Sequence, residues 1–266
     1  MILVIYRILY GTDFLERSMR SVYDEADKIF VGYSSEPWSR PQNFPDIRDI
    51  EQSPVDVIHK HFDLSEEKIM VMSHQRDTPA GEFNYLYNWA VDLLGKPNIV
   101  VFMEPDMVWG PGVFKSFIKE AQDKGSLYAP QVELWKTYDY KITRTNGNRL
   151  GPAAYHHVPE FGFGPYVRGT EPTSAQVSQH GCYNFGYCLN EKTMLYKHNA
   201  ALDFSDKIKD SIPSQTWYKE KWLDWTLDTT NLEPTHNQPG IIPKAERYEM
   251  PEDMRKFMDE NPVKNT

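Results

Sequence analysis

Apolar residues recur along the first 130 residues in two alternating patterns, short continuous runs and helical stripes. The short runs predict buried strands at 2–8, 28–33, 68–72, 98–103 and 126–129. The stripes predict amphipathic helices between those strands, at 12–26, 81–94 and 113–121. Asp13 and Glu16 have the spacing of a capping box at the start of the first helix. Alternating strands and helices predict an α/β fold with a mostly parallel central sheet flanked by helices.

The pattern is less regular elsewhere. Residues 36–65 are punctuated by proline and predict a surface connection. Residues 151–174 are dense in glycine, proline and aromatic residues, which predicts a long functional loop or lid. After this loop the pattern predicts a strand at 180–189, a helix at 190–199 and a tryptophan-rich helix at 214–228. Because no internal repeat or low-complexity linker divides the chain, we expect one domain over 1–266.

The charge balance argues against one class of partner. The chain has 29 basic and 38 acidic residues, a formal charge of −9, which is the wrong sign for binding phosphate backbones, so we expect no nucleic acid partner. MILVIY has no basic segment before it and Arg7 follows at once, so it predicts neither a signal peptide nor a transmembrane segment. We therefore expect a cytoplasmic protein. Cys182 and Cys188 fit neither a zinc site nor a disulfide framework, which predicts two reduced thiols.

The run NIVVFMEPDMVWGPG places two carboxylates at the end of the most apolar predicted strand. Pro105 cannot continue a central strand, so Glu104 and Asp106 are expected at the strand's carboxyl end, which is the edge where open α/β sheets bind ligands. A divalent cation between these acids and a phosphate would relieve their mutual repulsion. The alternative is a turn with two solvated acids. The apolar residues after Asp106 favour the metal-diphosphate site.

Two longer stretches, RILYGTDFLERSMRSVYDEADKIFVGYSS and YLYNWAVDLLGKPNIVVFMEPDMVW, resemble the amino-terminal half of GT-A glycosyltransferases, closest to the family 2 class. The resemblance covers roughly residues 1–130, with TWYKEKW and EPTHN as the matching parts of the second half. It implies a single GT-A (Rossmann-like) domain with a nucleotide-sugar-binding half at 1–130, an irregular acceptor-binding half at 131–238 and an extension at 239–266. It also implies a nucleotide-sugar donor, a carbohydrate or glycan acceptor and a divalent metal, Mn or Mg.

Carried onto individual positions, the resemblance implies a set of site residues. Asp106 would bind the metal, Glu104 would face the ribose or a metal-bound water, and His236 would be a further metal ligand. The nucleotide-sugar pocket would be lined by Tyr6, Arg7, Ser34, Ser35, Arg76 and Asn88. The chain departs from the family at Glu104, where the first aspartate of DxD is expected, and at Gly32–Ser35, where an aspartate-rich turn is expected. Some of these site residues also have a structural alternative. Arg7 could form a surface ion pair, Arg76 could be solvated, Asn88 could lie on a helix surface, and His236 could be a surface or packing residue.

An inverting transferase also needs a general base for the acceptor hydroxyl. The family places it in the second half, where the candidates are Asp203, Asp206, Glu220 and Asp224. We prefer Glu220, because Trp217 and Trp222 beside it could form an acceptor platform. The alternative is that Glu220 is a solvated residue in a helical Glu-Lys pair.

Two other functions fit parts of the pattern. A sugar nucleotidyltransferase would share much of the sheet, but it would need a glycine-rich, basic phosphate loop after the first strand, and ILYGTDFLE has one glycine and no lysine. A non-catalytic sugar-binding relative would keep the fold without turnover, and Glu104 in place of aspartate keeps this alternative open.

Overall fold

The computed structural model describes residues 1–34, 46–65, 67–74, 79–144, 150–155, 176–204, 214–232 and 242–260, with the backbone alone for 79–82, 152–153, 199–204 and 214–215. In these ranges the strands are β1 (Ile2–Ile8), β2 (Lys28–Tyr33), β3 (Ile69–Ser73), β4 (Ile99–Met103), β5 (Met107–Val108), β6 (Leu127–Trp135), β7 (Thr137–Thr143), β8 (Leu150–Tyr155), β9 (Gln176–Val177), β10 (Cys182–Tyr187) and β11 (Lys244–Arg247). The helices are α1 (Leu15–Tyr23), α2 (Pro54–His61), α3 (Pro79–Leu94), α4 (Val113–Lys124), α5 (Glu191–Phe204), α6 (Ser214–Trp217) and α7 (Glu252–Glu260). Two 3-10 turns, Thr12–Phe14 and Ile47–Asp49, and a π-helix, Tyr218–Leu223, complete the elements.

The described strands form one sheet with the order β11-β7-β6-β8-β4-β1-β2-β3 along its main path. β1 pairs in parallel with both β2 and β4, and β3 extends the parallel set beyond β2. β8 pairs antiparallel with β4 and with β6, and β10 joins β6 in parallel. This arrangement confirms the predicted α/β fold with a mostly parallel central sheet flanked by helices. Because β2 and β3 lie on one side of β1 and β4 on the other, the strand order reverses between β1 and β4.

Both faces of β1 are buried, which explains its nearly continuous apolar sequence. Leu3 and Ile5 pack in a cluster with residues of α3, including Leu86. Val4 and Ile8 point into the opposite cluster, where α1 and α4 contribute their apolar stripes. A further cluster, built around Trp135, Phe185, Trp217 and Met254, fills the second half of the chain.

The proline-punctuated connection at 36–65 contains a helix in its described part. Helix α2 begins after Ser53, whose side chain accepts a hydrogen bond from the Val55 N–H, and Pro54 occupies its first turn. Val57 and Ile58 are buried in the cluster that also contains Val4 and Ile8. The sequence pattern does not predict this helix because eight residues offer too few periods to be recognised.

Two details of the predicted helices also differ. Asp13 lies inside the 3-10 turn and caps no helix, and its carboxylate instead accepts a hydrogen bond from the Asn190 side chain. The predicted continuous helix at 214–228 is a short α6 followed by the π-helix, which ends at Leu223.

β8 occupies the start of the predicted loop at 151–174, and 156–174 lie outside the described residues. None of the described helices is long and apolar enough to span a bilayer.

Candidate functional site

The carboxyl ends of β1 and β4 bring together two of the predicted site residues. In the register of the two strands Tyr6 lies beside Met103, so Arg7 and Glu104 follow at neighbouring positions. The Arg7 Nη2 donates to Glu104 Oε1 at 2.6 Å, and the guanidinium lies over the Phe83 ring at 4.5 Å from its centroid. The two side chains keep exposed fractions of 12% and 20%, so the pair remains accessible at the point where the strand order reverses.

Asp106 is held in a tight turn between β4 and β5. The Met107 N–H donates to the Glu104 carbonyl within this turn, and the Phe185 N–H of β10 donates to the Asp106 carbonyl at 2.8 Å. β5 then pairs antiparallel with β10. Asp106 is 4% exposed, so the alternative of a solvated acid does not hold for this residue. Burial of a carboxylate requires compensating partners.

Lys197 of α5 is the cation nearest to that carboxylate in the described structure. Its Nζ lies 3.5 Å from Asp106 Oδ2 and donates to the Gly186 carbonyl at 2.8 Å. The ammonium also lies between two aromatic faces, 5.4 Å from the Tyr10 centroid and 5.2 Å from that of Tyr187. Lys197 could not be recognised from the sequence, because an isolated lysine in a helical pattern predicts a solvated side chain.

Gly186 makes this close approach possible. A Cβ at this position would lie 2.5 Å from Lys197 Nζ and 2.8 Å from Asp106 Oδ2. The local backbone is fixed by Asn184, whose Oδ1 accepts from the Gly186 N–H at 2.9 Å, and the register of β10 against β6 shifts here. Any residue other than glycine would therefore require the Asp106, Asn184 or Lys197 side chain to move.

The described residues do not fit a divalent ion in the manner that the resemblance implies. Glu104 is bonded to Arg7, and Asp106 faces Lys197, so each acid already has a cationic partner. No group of three or more metal-binding side chains occurs in the part of the chain that the structure describes. His236, the other predicted ligand, lies outside the described residues. We therefore derive no step through a metal.

A second buried carboxylate closes the loop after β1. The Glu51 carboxylate accepts from the N–H groups of Gly11, at 2.9 and 3.0 Å, and of Thr12, at 2.7 Å, and from the Thr12 hydroxyl at 2.5 Å. Burial raises the pKa of Glu51, and these hydrogen bonds oppose that shift. Backbone N–H groups at such a turn would otherwise form an anion site. Sequence analysis missed Glu51 because its partners lie 39 and 40 positions away.

Two other predicted residues of the nucleotide pocket, Tyr6 and Ser34, are buried. Tyr6 is fully buried, and its hydroxyl is 3.0 Å from Ser18 Oγ, so it belongs to the core and not to a pocket wall. Ser34 is 3% exposed, and its N–H donates to the Ile8 carbonyl. Asn88 is exposed on α3, as its alternative reading required. Ser35 and Arg76 lie outside the described residues.

The two tryptophans predicted as an acceptor platform are core residues. Trp217 is 2% exposed, donates its Nε1–H to the Leu232 carbonyl and stacks on His198 with ring centroids 4.2 Å apart. Trp222 is 6% exposed and donates to the Tyr187 carbonyl. Neither indole offers a free face to a sugar. A tryptophan at helical spacing serves a core as well as a platform, so the sequence pattern could not separate the two.

The structure describes two of the four candidates for the general base, Glu220 and Asp224. Glu220 lies on the π-helix and Asp224 just after it, and both are exposed. Asp206 lies outside the described residues, as does the side chain of Asp203. Glu220 and Asp224 can therefore contact an acceptor from solvent, without support from the indoles beside them.

No family model and no curated protein matches this chain. Among solved structures, it is similar to 4-diphosphocytidyl-2C-methyl-D-erythritol synthase from Anaerococcus prevotii, at 13% identity and a TM-score of 0.36, over 58% of this chain and 70% of that one. It is also similar to S. aureus TarS, at 10% identity and a TM-score of 0.36, over 84% of this chain and 70% of that one. Likenesses at this distance do not indicate which reaction the chain carries out.

Proposed function

We propose that this chain is a glycosyltransferase that moves a sugar from a nucleotide-diphosphate sugar to an acceptor hydroxyl of a carbohydrate or glycan. The observation that carries the proposal is the position of the Arg7–Glu104 pair. It lies at the carboxyl ends of β1 and β4, where the strand order reverses. Open α/β sheets bind their ligands in the crevice at that reversal. A guanidinium at this edge is suited to a phosphate or carboxylate.

The buried carboxylate of Asp106 and the partly exposed ammonium of Lys197 beside this crevice favour a charged ligand over a neutral one. A module for neutral sugars would gain nothing from an ion pair that must be removed from water. A ligand with a diphosphate, in contrast, brings negative charge to Arg7 and Lys197, which are both cations. In the transition state the departing diphosphate gains further charge, which fixed cations stabilise more than they stabilise the bound donor.

The Glu51 carboxylate weighs against the nucleotidyltransferase alternative. Such an enzyme would bind a triphosphate at the backbone donors after the first strand. In this chain the N–H groups of Gly11 and Thr12 are already bonded to Glu51. A triphosphate would have to displace a carboxylate that is only 8% exposed.

The proton of the acceptor hydroxyl passes to a carboxylate in the second half, and the reaction inverts the anomeric centre. Glu220 remains our preferred base, with Asp224 and Asp206 as the other candidates. A positioned base contributes about 100-fold or more to the rate, so Glu220→Gln should keep donor affinity and lose about that much transfer. An active Glu220→Gln enzyme with an inactive Asp224→Asn or Asp206→Asn variant would move the role to that aspartate.

The proposal is tested with the full chain and a panel of nucleotide sugars, by measuring nucleotide diphosphate release with and without sugar acceptors. Arg7→Met should weaken nucleotide diphosphate binding by about 10-fold or more, because a hydrogen bond to a charged group contributes about 1.5–3 kcal/mol. The matched control is Arg247→Met on the exposed strand β11. Release of pyrophosphate from a nucleoside triphosphate and a sugar phosphate would identify a nucleotidyltransferase. Binding of oligosaccharides without any affinity for nucleotides would identify a sugar-binding module.

A further inference from the structure

The site contains a cation of its own beside Asp106, the carboxylate that the resemblance assigns to a metal. We propose that the ammonium of Lys197 neutralises the diphosphate of the bound nucleotide, so that the chain binds nucleotide diphosphates without a divalent metal. This inference rests on the proposed function, since it concerns the same donor site. It differs from the metal-dependent chemistry expected of the DxD position.

The position of the ammonium is the first argument. α5 directs Lys197 at the turn between β4 and β5, where Nζ lies 3.5 Å from Asp106 Oδ2. That turn follows the strand whose end carries Glu104, so the ammonium belongs to the same edge of the sheet as Arg7. The Lys197 side chain keeps 22% of its surface exposed, which leaves it accessible to a ligand.

The second argument is that the ammonium is held before any ligand arrives. It donates to the Gly186 carbonyl at 2.8 Å and lies between the faces of Tyr10 and Tyr187. A lysine normally loses considerable rotamer freedom when it binds a phosphate. Here the protein has already restricted that freedom, so the charge is preorganised for the diphosphate.

The third argument is the net charge of the side chains around Glu104 and Asp106. Two bare carboxylates at Glu104 and Asp106 would attract a dication, as the sequence suggested. The structure adds Arg7 to the first and Lys197 to the second, so these four groups carry no net charge. A dication on Asp106 would also lie beside the Lys197 ammonium, and the two cations would repel each other. Both effects oppose metal binding and leave the ammonium to face the diphosphate.

The test is calorimetric titration of the full chain with UDP, GDP, CDP and ADP, each in EDTA, in magnesium and in manganese. For the wild-type chain we expect affinities for the preferred nucleotide that agree within about threefold across the three conditions. Lys197→Met should lose at least about tenfold of the affinity measured in EDTA, and Lys197→Arg should retain most of it. The control variant is Lys96→Met, at an exposed lysine beyond the end of α3. Thermal melting of every variant confirms that it is folded.

Two results would overturn the inference while leaving the proposed function intact. One is wild-type binding that requires magnesium or manganese, a measurement that needs no variant. The other is a folded Lys197→Met chain that binds in EDTA as tightly as the wild type. If no nucleotide diphosphate binds the wild-type chain in any condition, the proposed function fails and this inference fails with it.

Discussion

Replacement of Glu51 tests whether one buried carboxylate holds the loop after β1. In Glu51→Ala the N–H groups of Gly11 and Thr12 and the Thr12 hydroxyl lose their acceptor. Each buried donor left without a partner costs about 1–3 kcal/mol, which sums to about 3–9 kcal/mol for three. We expect a loss of about 3–5 kcal/mol in the free energy of unfolding, because water in the space left by the side chain would accept hydrogen bonds from some of these donors.

Glu51→Gln separates hydrogen bonding from charge. The amide keeps one oxygen acceptor but places its NH₂ group against donors, so we expect a loss of about 1–3 kcal/mol near neutral pH. The pH dependence has a defined sign. Burial raises the folded-state pKa of Glu51 above its ordinary value of 4.5, so the stability that the side chain contributes is present in acid and is lost as pH rises through the folded-state pKa. The advantage of the wild type over Glu51→Gln should therefore be larger at pH 5 than at pH 8.

The assay is urea unfolding followed by circular dichroism and tryptophan fluorescence, at pH 5 and pH 8. Glu249→Gln, at an exposed glutamate, is the matched control and should change the free energy of unfolding by less than about 0.5 kcal/mol. A Glu51→Ala chain within about 1 kcal/mol of the wild type would refute the view that the carboxylate anchors the loop. An advantage over Glu51→Gln that grows from pH 5 to pH 8 would show that the hydrogen bonds outweigh burial in setting the pKa.

Two further predictions concern the interior. In Gly32→Ala the new methyl group would overlap both terminal methyls of Leu86 and lie 2.8 Å from His74 Nε2, so overpacking should cost about 1–3 kcal/mol in urea unfolding. Gly110→Ala, whose nearest contact is a Val113 methyl at 3.3 Å, serves as the control. Equal stabilities of the two variants would contradict the close contact between Gly32 and Leu86. Burial raises the pKa of both cysteine thiols, so the difference between them should come from exposure. Cys182 is 1% exposed and Cys188 is partly exposed, so Cys182 should react with a disulfide reagent at pH 7 more slowly than Cys188. Peptide mass spectrometry that found Cys182 labelled first in the folded chain would contradict this.

The sequence by itself determined the parallel strands of the first half and the strand end at which Glu104 and Asp106 lie. Runs such as 98–103 are apolar on both faces because helices cover both sides of a parallel strand, and this requirement can be read locally. The proline at 105 ends the strand for an equally local reason, its missing N–H, so Glu104 and Asp106 were correctly expected at a strand end. The order of strands and helices through residue 130 followed from the same periodicities, apart from the short elements α2 and β5.

The tertiary structure alone decided which groups meet at that edge. Arg7 lies 97 positions from Glu104, and Gly11 lies 40 positions from Glu51. Lys197 reaches Asp106 from a helix in the other half of the chain. Local periodicity specifies which side of an element faces inward, but it carries no information about which distant side chain lies opposite. The same limit applies to Trp217, since an amphipathic stripe fits a buried cluster as well as a sugar platform, and only the packing around its ring determined that it belongs to the core.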